Sequence, residues 1–73
     1  MDRPAVDLSL TDKQESVLGR WIEGDPDLEI AADLGVSDRA VRRLLERAMN
    51  ANGCYTRGEL AYYYGQQHGR ERR

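Results

Sequence analysis

Five charged side chains stand close together in one stretch of this 73-residue chain, "GVSDRAVRRLLERA" at residues 35–48. They are Arg39, Arg42, Arg43, Glu46 and Arg47. An α-helix turns by about 100° per residue, so on a helix they share one arc of about 140°. Arginine binds guanine O6 and N7 or neutralises phosphates, and glutamate accepts a hydrogen bond from cytosine N4. The stretch therefore predicts either a helix that contacts DNA or a solvated helical face in which Glu46 pairs with Arg42 and Arg43.

The other side of the same helix is apolar over an arc of about 100°. Its apolar residues are Val41, Leu44, Leu45 and Ala48. Ser37 is a typical N-cap residue, and "NANG" at residues 50–53 ends the pattern, which predicts a helix over residues 38–51. A helix with one packing face and one charged face has the arrangement of a DNA-recognition helix.

Thr11 and Gln14 form a capping box that predicts a first helix over residues 11–23. Its apolar stripe consists of Val17, Leu18, Trp21 and Ile22, and we expect the tryptophan to belong to the core. At the start of this helix, free N–H groups together with Thr11 and Lys13 could bind a phosphate. Capping alone explains Thr11 equally well.

A short helix over residues 27–34 is predicted next, with Asp25 as its N-cap, Pro26 as its first helical residue and Gly35 as its C-cap. The residues expected to be buried are Leu28, Ile30, Ala31 and Leu34. Only "GVS" separates this helix from the arginine-rich one, and Val36 would be the apolar plug of the turn. So short a glycine-containing turn between two amphipathic helices predicts a helix-turn-helix.

Thr56 and Glu59 make a second capping box, which predicts a fourth helix over residues 57–67 with Leu60 facing inward. Of its three consecutive tyrosines, we expect one to pack inward and the others to be exposed. Exposed tyrosines favour a protein interface. The predicted interface residues are Leu60, Tyr62, Tyr63 and Tyr64. In the preceding turn, Cys54 is expected to be a small buried hydrophobe.

These elements predict an all-α fold, a small four-helix bundle with a helix-turn-helix. We expect a flexible N-terminal arm at residues 1–9, the helix-turn-helix domain at 10–67 and a frayed basic tail at 68–73.

The net charge of −2 conceals a division between the two halves of the chain. Residues 1–36 carry three basic and nine acidic side chains, whereas residues 37–73 carry eight basic and four acidic ones. One face can therefore meet a polyanion although the whole chain is acidic.

Composition also argues against several classes of protein. A single cysteine allows no intrachain disulfide, and no apolar run approaches the roughly 20 residues of a membrane span. The first residues do not resemble a signal peptide. We therefore expect a cytoplasmic, nucleoid-associated protein and no membrane partner. With a single histidine, His68, and no phosphate-binding glycine loop, we expect no enzyme activity, no cofactor and no metal site.

From residue 10 to residue 64 the chain resembles the DNA-binding module of LuxR/NarL/GerE-type regulators, whose pattern is roughly L-T-x-R-E-x-x-V-L, G, E-I-A-x-x-L-G-x-S-x-x-T-V-K-x-H and R-x-E-L. The matching residues are Leu10, Thr11, Val17, Leu18, Gly24, Glu29, Ile30, Ala31, Leu34, Gly35, Ser37, Val41, Arg57, Glu59 and Leu60. The resemblance implies a four-helix module whose third helix enters the major groove and whose fourth supports dimerisation. A second, lesser resemblance is to the fourth region of bacterial sigma factors.

The chain departs from the family pattern on the reading face. Ala40 replaces a phosphate-contacting threonine, Leu44 replaces the histidine, Glu46 stands where some members have a basic residue, and Ala51 replaces a lysine. Arg42 keeps the basic base-reading position. The departures imply weaker DNA binding than the family's, or a different preferred site.

The expected function is that of a bacterial or phage transcriptional regulator that binds double-stranded DNA in a sequence-specific manner as a homodimer through helix 57–67. Arg42 and Arg43 would reach base edges, Arg39 and Arg47 would meet phosphates, and Ser37 would present the helix N-terminus. The alternative is a protein-interaction module on the same fold that binds RNA polymerase or another regulator, with weak or no DNA binding.

Overall fold

The computed structural model describes residues 8–71, with the side chains of residues 8–67, and contains four α-helices. They are α1 (Asp12–Ile22), α2 (Asp27–Leu34), α3 (Asp38–Ala51) and α4 (Arg57–Glu71). No strand occurs in this part of the chain, so the predicted all-α class is confirmed. The tail was expected to begin at residue 68, but α4 continues to Glu71.

Local hydrogen bonds explain where α1 and α3 begin. The Thr11 hydroxyl oxygen accepts from the N–H of Gln14 at 3.1 Å, and the Gln14 side chain accepts from the N–H of Thr11 at 3.0 Å. Ser37 Oγ accepts from the N–H of Ala40 at 3.1 Å. Each bond satisfies an N–H that the first turn of a helix leaves unpaired, so both predicted N-caps are confirmed.

Gly35 ends α2 with a left-handed backbone (φ 70°, ψ 33°), as predicted for a C-cap. The N–H of Val36 returns to the carbonyl of Ala31, which closes the last turn. Residues 35–37 therefore form the short connection between α2 and α3 that the sequence predicts for a helix-turn-helix.

One other predicted cap is wrong, and a second is only partly formed. The N-cap of α2 is Pro26, without a side-chain cap, because the Asp25 carboxylate accepts a hydrogen bond from Arg20 Nε instead. At α4, the Thr56 hydroxyl accepts from the N–H of Glu59, but the Glu59 carboxylate accepts from the N–H of Tyr55 rather than from that of Thr56. The second capping box is therefore only half formed.

The core lies around α3, which packs against each of the other three helices. Its buried residues are Val17, Leu18, Ile30, Ala31, Val41, Leu45, Ala48, Cys54 and Leu60. Trp21 is only partly buried at the edge of this core, together with Leu44. Burial confirms the predicted role of Cys54 and raises the pKa of its thiol, which also lies near the charge of Glu59.

Four residues predicted to be interior are exposed: Leu28 to 70%, Ile22 to 44%, Val36 to 41% and Leu34 to 40%. The eight-residue α2 has only Ile30 and Ala31 buried, because one helix face can be covered by the neighbouring helices and its flanks remain in solvent. Val36 lies at the rim of a surface depression and does not plug the turn.

The residues just before α1 are attached to the bundle. The Asn52 side chain accepts from the N–H of Ser9 at 2.7 Å and donates to the carbonyls of Ser9 and Ala48. The N–H of Leu8 donates to the Gln67 side chain at 3.2 Å. Ser9 and Leu8, assigned above to a flexible arm, are thus bound to α3 and α4, and residues 1–7 of that arm lie outside the described residues. Over the described part of the chain, no helix is both long and apolar enough to cross a membrane.

Candidate nucleic-acid interface

The outer face of α3 carries the charged residues in the arc that helical periodicity predicts. Arg39, Arg42, Arg43, Glu46 and Arg47 are all exposed. Among the described residues, the ion pairs within 4 Å are formed by Arg20 and Arg57, and the α3 arginines take part in none. The alternative in which Glu46 neutralises Arg42 and Arg43 is therefore not what the structure shows.

One side of this face borders an open depression between α3 and the start of α1, with a volume of about 440 Å³. We refer to it as the cationic groove. It is lined by Thr11, Lys13, Gln14, Ser37, Arg39, Ala40, Arg43, Leu44 and Arg47. The three arginines are spaced four residues apart, so they form one row along the helix, and Lys13 approaches from α1. The lining has four cationic side chains and no carboxylate.

The groove brings together six of the eight residues predicted to contact DNA: Thr11, Lys13, Ser37, Arg39, Arg43 and Arg47. Both hydroxyls accept a capping hydrogen bond, and a hydroxyl that accepts still has its own hydrogen to donate. The positive ends of two helix dipoles, at the first turns of α1 and α3, also border the groove. Its charge, donors and dipoles all favour an anion.

The remaining two predicted residues, Arg42 and Glu46, do not line the groove. They lie towards the other edge of α3, near an ion pair between Asp27 of α2 and Arg57 of α4. Arg57 donates two hydrogen bonds, at 2.9 and 2.8 Å, to the two oxygens of the Asp27 carboxylate. Arg42 and Arg43, predicted to read bases together, stand about 100° apart on the helix and border different surfaces.

Electrostatics link that edge of α3 to the ion pair. The hydrogen bonds from Arg57, and at longer range the charge of Arg42, lower the pKa of the Asp27 carboxyl. The hydrogen bonds to Asp27, and at longer range the charge of Glu46, raise the pKa of Arg57. Positive and negative groups therefore lie close to one another at this edge, whereas the charged residues that line the cationic groove are all positive.

Sequence reasoning identified Arg57 only as a match to the family pattern and did not pair it with Asp27. The two residues are 30 positions apart, so no local spacing indicates their contact. The guanidinium of Arg57 also lies 5.7 Å from the centre of the Trp21 ring, within the range of a cation–π interaction. The pair therefore connects α1, α2 and α4 beneath the exposed edge of α3.

On α4, Tyr62 is exposed to 62% and contacts the Tyr63 ring edge to face, with 5.5 Å between the ring centres. Tyr63 and Tyr64 are partly buried against the core, so the prediction of a single inward-facing tyrosine is wrong. They follow the fully buried Leu60 by three and four residues, which places all three on one helix face. Because Leu60 is fully buried, it cannot contact a partner directly and can support an interface on α4 only by packing under Tyr63 and Tyr64.

Among the described residues, no group of three or more histidine, cysteine, aspartate or glutamate side chains is arranged to hold a metal ion. The side chains of His68, Arg70, Arg72 and Arg73 lie outside the described residues.

Comparisons of the chain with protein-family models, with curated proteins and with solved structures found no match.

Proposed function

We propose that this protein is a DNA-binding transcriptional regulator that places α3 in the major groove, as its resemblance to LuxR-type modules implies. The observation that carries the proposal is the cationic groove, in which Lys13 joins the row of Arg39, Arg43 and Arg47 without any carboxylate. Four cations around one open groove suit a phosphate backbone, because the density of charge on DNA rewards each neutralised phosphate with released counterions.

The two sides of α3 have different tasks in this proposal. Its 14 residues span about 21 Å, more than the roughly 12 Å width of the major groove. Arg39 and Arg47 bind phosphates along one edge of the DNA major groove. Arg43 reaches base edges from that same edge, and Arg42 reaches base edges from the opposite edge. Glu46, beside Arg42, is suited to accept a hydrogen bond from cytosine N4. A homodimer through α4, with Tyr62 at the contact, would double the number of contacts.

Fluorescence anisotropy with duplex DNA over a series of salt concentrations tests the proposal. The logarithm of the association constant should fall linearly with the logarithm of the salt concentration. Replacing Arg39 by Gln should make that slope shallower by about 0.9, whereas the matched variant Arg39→Lys retains the charge and should retain the slope.

A double variant, Arg42→Ala with Arg43→Ala, removes one cation from each edge of α3 and should abolish the preference for any selected duplex sequence. If the wild-type chain and this double variant bind DNA equally poorly at low salt, the chain is not a DNA-binding regulator. Circular dichroism must show that both proteins are folded, which we expect because both side chains are exposed.

A second candidate function is a protein-interaction module that binds RNA polymerase or another regulator. It is favoured by apolar and aromatic side chains exposed away from the groove, in particular Tyr55 and Tyr62. That function predicts a folded protein without salt-dependent DNA binding, so the same titration separates the two candidates.

A further inference from the structure

The cationic groove continues into a second concavity, which the DNA-binding proposal does not use. This apolar depression has a volume of about 150 Å³. It is lined by Lys13, Val17, Leu34, Val36, Ala40, Val41 and Leu44. Three of these residues, Lys13, Ala40 and Leu44, also line the cationic groove, so the two concavities form one continuous surface.

A DNA duplex offers little to fill the apolar depression. Phosphates, sugars and most base edges are polar, and the thymine methyl is the apolar group that the major groove presents. By contrast, an apolar cavity of about 150 Å³ accommodates a group as large as benzene. Leu34 and Val36 remain partly exposed at its rim. A ligand with one apolar side chain next to a negative charge matches the combined surface better.

The same chain carries such a group on α2. Leu28 is exposed to 70% and stands between two carboxylates, Asp27 and Glu29. Asp27 is bound by Arg57, whereas Glu29 is exposed. Within α2 no basic residue occurs, so the charged neighbours of Leu28 along its own helix are carboxylates, whereas the charged residues that line the cationic groove are all cations.

We propose that Leu28 of one copy enters the apolar depression of a second copy, while Glu29 of the first copy pairs with the cations of the second copy's groove. The division of charge between the acidic first half and the basic second half of the chain favours the same association. The contact joins two different patches, so it differs from a symmetric dimer through α4. Because it covers the cationic groove, it competes with DNA, and this last consequence rests on the proposed function.

A mixing experiment by sedimentation velocity tests the contact with two complementary variants. Every protein in the experiment, including the one called wild type, carries Tyr62→Ala, so that the proposed dimer through α4 does not contribute to the association. Leu28→Ala removes the inserted side chain and leaves the groove intact. Arg43→Glu reverses one charge of the groove and leaves Leu28 intact. Both sites are exposed, so neither change disturbs the core. We expect each variant alone to self-associate at least roughly ten-fold more weakly than the wild type at low salt, because each loses buried apolar contact or charge pairing.

Mixing the two variants in equal amounts should restore a complex, because one supplies an intact Leu28 and the other an intact groove. Wild-type self-association should weaken as salt is raised. The control Asn50→Ala changes an exposed residue in the last turn of α3 that lines neither concavity, and it should leave self-association and mixing unchanged.

Three results would overturn the proposal: a monomeric wild type at low salt and millimolar concentration, a Leu28→Ala variant that associates like the wild type, or variants that form no complex when mixed. These readings need no DNA, so they stand whether or not the chain binds it. If it does, adding duplex DNA should dissociate the wild-type assembly, and Leu28→Ala should bind DNA at least as tightly as the wild type.

Discussion

Asp27 and Arg57 form the least exposed ion pair of the described residues, with side-chain exposures of 21% and 22%. Both carboxylate oxygens accept from the guanidinium, which restricts the geometry more than a single contact does. Trp21 lies against the guanidinium on α1. Arg57 of α4 thereby connects α1 and α2 to its own helix, close to the edge of α3 that carries Arg42 and Glu46.

Replacing Asp27 by Asn should lower the free energy of unfolding at pH 7 by about 1–3 kcal/mol, because a charge-assisted pair is lost and Arg57 is left without its partner. Folding lowers the pKa of Asp27, so its contribution is fully present above the ordinary aspartate pKa of about 3.9 and disappears as the pH falls through the lower folded value. Urea unfolding from pH 7 to pH 2 should show an acid step in the wild type that is smaller in Asp27→Asn.

Asp33 provides the matched control within the same helix. It pairs with Arg20, but its side chain is 59% exposed, so solvent screens the interaction. Asp33→Asn should leave stability close to that of the wild type at every pH. Equal losses of unfolding free energy in the two variants would mean that the lower solvent exposure of the Asp27–Arg57 pair does not strengthen it.

The orientation of α3 relative to α2 depends on the three residues between them. Gly35 has a positive φ of 70°, a region in which residues with a Cβ are strained. A Cβ added there would meet no atom within 4 Å, so only the backbone opposes a substitution. The position of the cationic groove therefore depends on the conformation of one glycine.

Gly35→Ala should lower the free energy of unfolding by about 1–2 kcal/mol, because alanine is strained in the left-handed region. Gly65 lies inside α4, also with open space around a hypothetical Cβ, and is not among the glycines of positive φ. Gly65→Ala should raise the free energy by about 0.5–1 kcal/mol, because alanine is the better helix former. Urea unfolding of both variants measures the difference, and changes of the same sign would contradict it.

Local signals predicted the helix ends well where no other side chain competed for the capping group. Thr11, Ser37 and Gly35 behave as their sequence contexts indicate, because each satisfies backbone groups within a few residues. Asp25 did not, because Arg20 bound its carboxylate. Leu28 did not, because periodicity identifies a helix face but not whether another element covers it.

At the scale of the whole molecule, the placement of charge matters more than its total. The acidic residues of α1 continue to its C-cap, Glu23, about 15 Å along the helix from Lys13. The Debye length at 0.1 M salt is about 10 Å, so this carboxylate is largely screened from the cationic groove. Glu23 therefore contributes to the net charge of −2 but opposes the attraction of the groove for an anion only weakly.

Glu23→Gln changes the net charge by as much as Arg39→Gln does, in the opposite direction. We expect Glu23→Gln to alter DNA affinity at 0.1 M salt by less than about two-fold and to leave the salt slope unchanged, because it removes no phosphate contact. The same anisotropy titration measures it beside Arg39→Gln. If the salt slope changed with net charge in both variants, the total charge of the protein, and not the contacts of the groove, would govern DNA binding.

The candidate site could be predicted in part from sequence. The row of Arg39, Arg43 and Arg47 follows from helical geometry. The capping box at Thr11 indicated where α1, the other helix beside the cationic groove, begins. The Asp27–Arg57 pair and the apolar depression are formed by residues far apart in the chain, and only their packing places them beside α3. Long-range geometry of this kind leaves no periodic trace in a sequence.

The hydrogen bonds of Asn52 to Ser9 also fix where the chain enters the bundle. Asn52 is the C-cap of α3 and Ser37 its N-cap, so the entry point lies about 22 Å along α3 from the first turn of that helix. Thr11, two residues after Ser9, nevertheless lines the cationic groove, because α1 begins there and runs beside it. A fluorophore joined ahead of Leu8 would therefore start close to the groove and should report its occupation, whereas a surface tether at the same point needs a spacer to leave the groove open.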